Sequence, residues 1–103
     1  MIRHVVMWKL KEEAEGATRK KNAEKMKLIL EGLKSTIREL KRVEVGINVN
    51  REKEGAWDVV LLADFETELD MTMYARHENH KKALNFITSV TEDRRFVDYE
   101  MDV

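Results

Sequence analysis

Alternation with a period of two opens the chain. Ile2, His4, Val6, Trp8 and Leu10 fall on one side, Arg3, Val5, Met7 and Lys9 on the other. Both sides carry bulky apolar groups, so the pattern predicts a strand covered on both faces. The charged stretch from Lys11 to Thr18 reads as a connection, with Thr18 placed to cap a helix. From there to about Leu40, the residues Ala23, Met26, Leu30, Leu33, Ile37 and Leu40 recur at steps of three and four. That spacing is the apolar stripe of a long amphipathic helix whose outer face is Lys, Glu and Arg. Val43, Val45, Ile47 and Val49 alternate with Glu44, Gly46, Asn48 and Asn50 and predict a second strand. The polar stretch Asn50 to Ala56, which contains Gly55, predicts a hairpin loop. The third strand, Trp57 to Phe65, is apolar at nearly every position. Trp57, Val59, Leu61, Ala63 and Phe65 point one way and Val60 and Leu62 the other, which predicts a central strand buried on both faces. Helical spacing returns from Thr67 to about Val90, either unbroken or with a break near Arg76 to Asn79. Phe96 to Val103 sets Val97, Tyr99 and Met101 against Asp98, Glu100 and Asp102, the pattern of a strand with one wet side.

The element order β-α-β-β-α-β predicts an α+β protein: a ferredoxin-like protomer with a four-stranded antiparallel sheet and both helices on one face. Two helices cover only one side of such a sheet. Val5, Met7, Val60 and Leu62 are left on the other, and a bare apolar patch of that size calls for a second copy of the chain. A homodimer is the expected assembly.

Composition narrows the function classes. A chain of 103 residues is expected to form one domain, residues 1–103, and buries only about 60 to 70% of its unfolded surface alone, so a partner subunit helps it. Lys and Arg number 19, Asp and Glu 20, and the signs are interleaved. The electrostatic argument for nucleic acid or an anionic membrane is therefore missing. The absence of cysteine removes disulfides, a thiol nucleophile and thiolate metal ligands. No uninterrupted apolar segment is long enough for a signal peptide or a membrane span, so a cytoplasmic protein is expected. Gly16, Gly32, Gly46 and Gly55 are too dispersed for a phosphate loop or a nucleophile elbow.

Three histidines, His4, His77 and His80, and Tyr74 carry the candidate chemistry. On a helix, Tyr74, His77, His80, Leu84 and Ile87 share one face, and the two aliphatic residues turn that face inward. His4, on the strand face of Val6 and Trp8, closes the group from the sheet. Imidazoles and a phenol around an apolar pocket have the parts for proton transfer near neutral pH. The same residues are also those that would fasten a helix break by bonding backbone carbonyls. A metal reading rests on His77 and His80, three residues apart, with His4 as third ligand, but no HExxH motif is present. Trp8 and Trp57 line the cleft or serve as apolar filling. The pattern asks for no cofactor and no metal.

These stretches resemble the stress-responsive A/B barrel (Dabb) family nearly from end to end and in the same order. MIRHVVMWKLK is similar to its first strand, VEVGINVN to its second with the embedded glycine, and WDVVLLADFET to its third. YARHENHKKALNFI resembles the family's Tyr-x-x-His-Pro-x-His helix signature, and VTEDRRFVDYEM its closing strand. The resemblance implies protomers that dimerise sheet to sheet into an α/β barrel, with a cleft between sheet and helices in each. It implies catalytic roles for Tyr74 and His80, as in the plant polyketide cyclases of the family, with His4 and His77 in support and Val6, Trp8, Val59 and Leu61 against an apolar or aromatic ligand. Glu78 stands where the signature has proline, and Val59 where the cyclases have a further histidine, so the cyclase reaction itself does not carry over. Two other functions fit the resemblance: a non-catalytic stress-associated dimer, and a cyclase-type lyase or an oxygenase of the dimeric barrel group.

Overall fold

In the computed structural model, which describes residues 1–102, the sheet that the alternation predicts is built from four long strands. They are β1 (Ile2–Leu10), β4 (Arg42–Ile47), β5 (Val59–Phe65) and β6 (Thr91–Glu100), in the order β4-β5-β1-β6. All neighbours are antiparallel. A two-residue pair, β2 (Glu13–Ala14) and β3 (Ala17–Thr18), forms a small hairpin inside the first connection. The helices are α1 (Arg19–Gly32), α2 (Glu68–Arg76) and α3 (Glu78–Val90). This is the ferredoxin-like α+β arrangement, with the helices on one face of the sheet.

The register sorts the side chains. Val45, Leu61, Val6 and Phe96 stand opposite one another across the four strands, as do Ile47, Val59, Trp8 and Arg94. Both rows lie on the helix face, where the core is buried: Val6, Trp8, Val59, Leu61, Ala63 and Phe65 against Met26 and Leu30 of α1 and Ile87 and Val90 of α3. The opposite face carries the rows Glu44, Leu62, Val5, Val97 and Gly46, Val60, Met7, Arg95. There Val5, Val60 and Leu62 are half-buried, Met7 and Val97 exposed, and no helix among the described residues covers them. Gly46 leaves room for Val60 on this face, since a Cβ there would meet Val60 Cγ1 at 3.2 Å.

The strand ends are closed by buried polar groups. Asp58 accepts the Leu10 amide at 2.7 Å, its own amide donates to the Trp8 carbonyl, and Arg3 holds Asp64 through two bonds of 2.8 and 3.0 Å. Along the outer edge of β4, Lys27 donates to the Val45 carbonyl and Glu31 accepts the Val45 amide. Two α1 side chains thus satisfy edge groups that would otherwise be open for pairing.

Several elements differ from the sequence expectation. The apolar stripe runs to Leu40 but the α-helix stops at Gly32. A 3-10 turn over Leu33–Ser35 follows, the Ser35 hydroxyl bonds the Gly32 carbonyl, and Leu33, Ile37 and Leu40 remain buried in a tighter coil. Glycine and two hydroxyl residues are poor helix formers, and hydroxyl back-bonding offers the chain an alternative path. The connection Lys11 to Thr18 is not featureless: its hairpin turns at Glu15 and Gly16, both with positive φ, and buried Asn22 ties it to α1 through the Ala14 carbonyl. The second strand ends at Ile47 instead of Val49, and the third begins at Val59 instead of Trp57. Trp57 lies outside the strand, with Lys9 Nζ 5.2 Å and the Arg95 guanidinium 5.6 Å from its ring. The last strand starts at Thr91, five residues before the expected Phe96, and pairs along the whole of β1 to Glu100. Four of its first five residues are charged, but ladder bonds on an exposed edge make no demand on side-chain polarity. Met101 and Asp102 follow the strand, and Val103 of the expected element lies outside the described residues.

Candidate functional site

Between the helix face of β1 and the α2–α3 pair lies a cavity of about 430 Å3. The local sequence builds it in three steps. β1 presents His4, Val6 and Trp8 on one face by simple alternation. α2 begins at the N-cap Thr67, whose hydroxyl accepts the Asp70 amide, and carries Tyr74 inward. The helix then breaks at His77, whose extended backbone (φ −63, ψ 138) starts α3. The His77 Nδ1 accepts the Asn79 amide at 3.0 Å, a side-chain N-cap. Glu78 takes the first helical position, where a carboxylate suits the helix dipole. The break redirects α3 so that His80 and Leu84 also face the cavity.

Tyr74 is 2% exposed and wedged between rings: Phe65 at 5.0 Å and His80 at 4.5 Å, tilted by 55° and 54°. Burial pushes its phenol up to about 12, so it stays protonated at neutral pH. The hydroxyl makes no hydrogen bond to another described residue and is not sealed from solvent. It is a hydrogen-bond donor open to the cavity. His80 Nδ1 donates to the Ala75 carbonyl at 3.2 Å, since a carbonyl can only accept. Burial pushes the His80 pKa down, the Ala75 bond opposes this, and the nearby His4, Arg94 and His77 charges reinforce it. The neutral ring therefore keeps Nε2 as its unprotonated nitrogen. A phenol that donates and an imidazole that accepts stand side by side.

His4 lies across from them on the sheet, its Nδ1 bonded to the Asp98 carboxylate of β6. Asp98 also lines the cavity, together with Arg94 two register rows away and Arg76 at the end of α2. Sequence reasoning passed over these three. For Arg94 and Asp98 the signal is parity: with Phe96 they share one face of β6, with His4, Val6 and Trp8 opposite.

The structure brings together Tyr74, His80, His4, Val6, Trp8 and Leu61 at the cavity. It does not bring His77 or Val59 there. His77 does not continue the face of Tyr74 and His80, because the helix break turns its ring onto the Asn79 amide. Val59 is core beneath the cavity, 2% exposed and opposite Trp8. Trp57 is also elsewhere, on the far side of the sheet with Lys9 and Arg95. Among the described residues no three His, Cys, Asp or Glu side chains converge as metal ligands. No described helix is long and apolar enough to cross a membrane.

The depressed His80 pKa gives a pH-dependent contribution to stability. The unfolded imidazole takes up a proton below 6.5, whereas the folded one resists until a lower pH. The unfolded state thus binds more protons in that window, and stability falls as pH drops from 6.5 toward the folded value. Above 6.5 this group contributes no slope. Urea midpoints at fixed protein concentration, taken from pH 7.5 to pH 5, should decline more steeply for the parent than for His80→Gln. Parallel curves would remove the assignment.

A family model described as the stress responsive A/B barrel domain matches residues 2–101. The chain belongs to this family. Solved structures agree with the fold of this Dabb domain. A ferredoxin-like protein from Bacteroides fragilis, described as dimeric and of unknown function, is 27% identical with a TM-score of 0.82, covering 97% of this chain and 95% of that one. A dimeric ferredoxin-like protein from Thermobifida fusca is 26% identical with a TM-score of 0.81, covering 97% and 90%. The hydroxynitrile lyase from Passiflora edulis shares the fold at 12% identity, with a TM-score of 0.80 and coverage of 98% and 93%. Among curated proteins none matches.

Proposed function

We propose that this Dabb domain acts as a cytoplasmic homodimer and that each protomer binds a small apolar or aromatic molecule in the cavity between sheet and helices. The observation that carries the reading is the Tyr74 hydroxyl, without a partner among the described residues, beside the neutral His80 ring, their centroids 4.5 Å apart and tilted by 54°, in a cavity that Val6, Trp8, Leu61 and Leu84 also line. A pocket of this size with few convergent polar groups is the usual form of a small-molecule site. Tyr74 donates a hydrogen bond to an oxygen of the ligand, and His80 Nε2 accepts a proton from a neighbouring position. Val6, Trp8 and Leu61 hold the apolar body, and Asp98 orients His4 at the sheet side. Dimerisation is supported by the uncovered apolar face and by the dimeric relatives from Bacteroides fragilis and Thermobifida fusca.

A second reading has its own observation. His77 caps α3 and His80 bonds the Ala75 carbonyl, so both imidazoles also fasten the break, as they would in a non-catalytic dimer. A thermal-shift panel of aromatic and polyketide-like compounds separates the two, because a ligand that binds only the folded state raises the melting temperature. At least one compound is expected to stabilise the parent and to lose about tenfold or more in affinity against a folded Tyr74→Phe, His80→Ala variant. Equal binding to both proteins would overturn the site assignment, and a panel without any stabiliser would favour the non-catalytic reading.

A further inference from the structure

Arg76 and Arg94 stand on opposite walls of the cavity, Arg76 where α2 ends and Arg94 on β6 opposite Trp8. Among the described residues neither forms an ion pair, although Arg95 beside Arg94 is held by Asp93. Among the described residues that line the cavity the one carboxylate, Asp98, is occupied by His4. It also sits four residues from Arg94 along the strand, roughly 13 Å at the rise of an extended chain, beyond the reach of a direct pair. The Arg94 guanidinium is instead steadied over the Phe96 ring at 5.0 Å. A cavity lined by Val6, Trp8, Leu61 and Leu84 thus also carries two exposed cationic forks that have no ion-pair partner among the described residues.

Resting on the reading of the cavity as a ligand site, we propose that its ligand is an amphipathic carboxylate, with an aromatic or alkyl body against Trp8 and Leu84 and its carboxylate between Arg94 and Arg76. The planar fork of arginine matches a carboxylate through paired N–H bonds. Away from the two arginines the lining offers a polar group the Tyr74 hydroxyl and the neutral His80 ring, with His4 already bonded to Asp98. Those groups suit an uncharged oxygen, so the charge belongs at the mouth. The influence of Arg94 on the His80 titration agrees with the two being near each other across the opening. A charged end also sets the direction of entry, since the apolar body goes in first.

The experiment uses paired probes of one shape: 2-naphthoate against 2-naphthamide, and 6-phenylhexanoate against 6-phenylhexanamide. Affinities are measured by calorimetry on the parent and on the Arg76→Gln, Arg94→Gln double variant. Both positions are exposed, and the melting temperature verifies that the variant is folded. The carboxylates are expected to bind the parent at least tenfold more tightly than the amides, with a preference that shrinks as salt rises. In the double variant that preference should vanish while amide affinity stays within about twofold. The lysine pair Arg76→Lys, Arg94→Lys should keep part of it. Equal binding of acid and amide to the parent, or a preference that survives in the double variant, would overturn the carboxylate assignment while leaving the cavity reading intact. Failure of both members of both pairs to bind would overturn the two together.

Discussion

Leu62→Glu should turn the proposed dimer into a folded monomer, with sedimentation equilibrium at micromolar concentration giving the 12.2 kDa of one chain in place of twice that mass. Leu62 lies in the interior strand β5, between Glu44 of β4 and Val5 of β1, with Val97 of β6 beyond. It is half-buried within its own protomer, so the substitution leaves the protomer core untouched. Across a two-fold axis each change is made twice and the new carboxylates face one apolar patch. Either both are desolvated without partners or water enters between the sheets. Burying an uncompensated charge costs several kcal/mol, which is a hundredfold or more in the dimer dissociation constant. Leu28→Glu on the outer face of α1, where Leu28 is 75% exposed, should leave the mass at the dimer value. A Leu62→Glu protein that sediments as a dimer would mean that the open face is not where the copies meet.

Phe65→Ala should lower stability by about 3 to 5 kcal/mol, as for other large aromatic truncations in closed cores. Phe65 is fully buried, ends β5 opposite Ile2, and supports the Tyr74 ring at 5.0 Å. The gap left behind is bordered by strand backbone and a helix anchored at Thr67, so collapse into it is restricted. A domain with a total of roughly 5 to 15 kcal/mol loses a large share of it. The urea midpoint should fall at unchanged slope, because the surface exposed on unfolding is nearly the same. A loss below about 1 kcal/mol would contradict the packing of Tyr74 on Phe65 and with it the rigid placement of the phenol, since truncating a closed aromatic costs several times more.

The sheet was legible because strand periodicity is local. Val6, Trp8, Val59 and Leu61 announce their face by alternation alone, and Val5, Val60 and Leu62 the other. The family signature was legible for the same reason, since Tyr74, His77 and His80 sit within seven residues. What the sequence hid depends on long-range pairing or on one backbone angle. The start of β6 at Thr91 is set by its ladder with β1, and side chains as charged as Glu92 and Asp93 give no sign of it. Asp98 read as belonging to a wet outer side, yet that side faces His4 and the cavity, while Val97 and Tyr99 share the uncovered face with Val5 and Arg3. His77 shares a helical face with Tyr74 and His80 only on an unbroken helix. One extended residue, His77 itself, removes it from that face and lets Tyr74 and His80 come together from two different helices.

Occupation of the cavity beside Tyr74 is tested most directly by tryptophan fluorescence, because the two tryptophans of the chain are divided between the two faces. Trp8 borders the cavity and Trp57 lies with Lys9 and Arg95 on the far side. In Trp57→Phe, titration with the tightest carboxylate probe should change the Trp8 emission to saturation, at the same midpoint that calorimetry gives. In Trp8→Phe, the Trp57 emission should stay constant over the same range. A saturable change at Trp57 with none at Trp8 would place the ligand on the opposite side of the sheet and contradict the account.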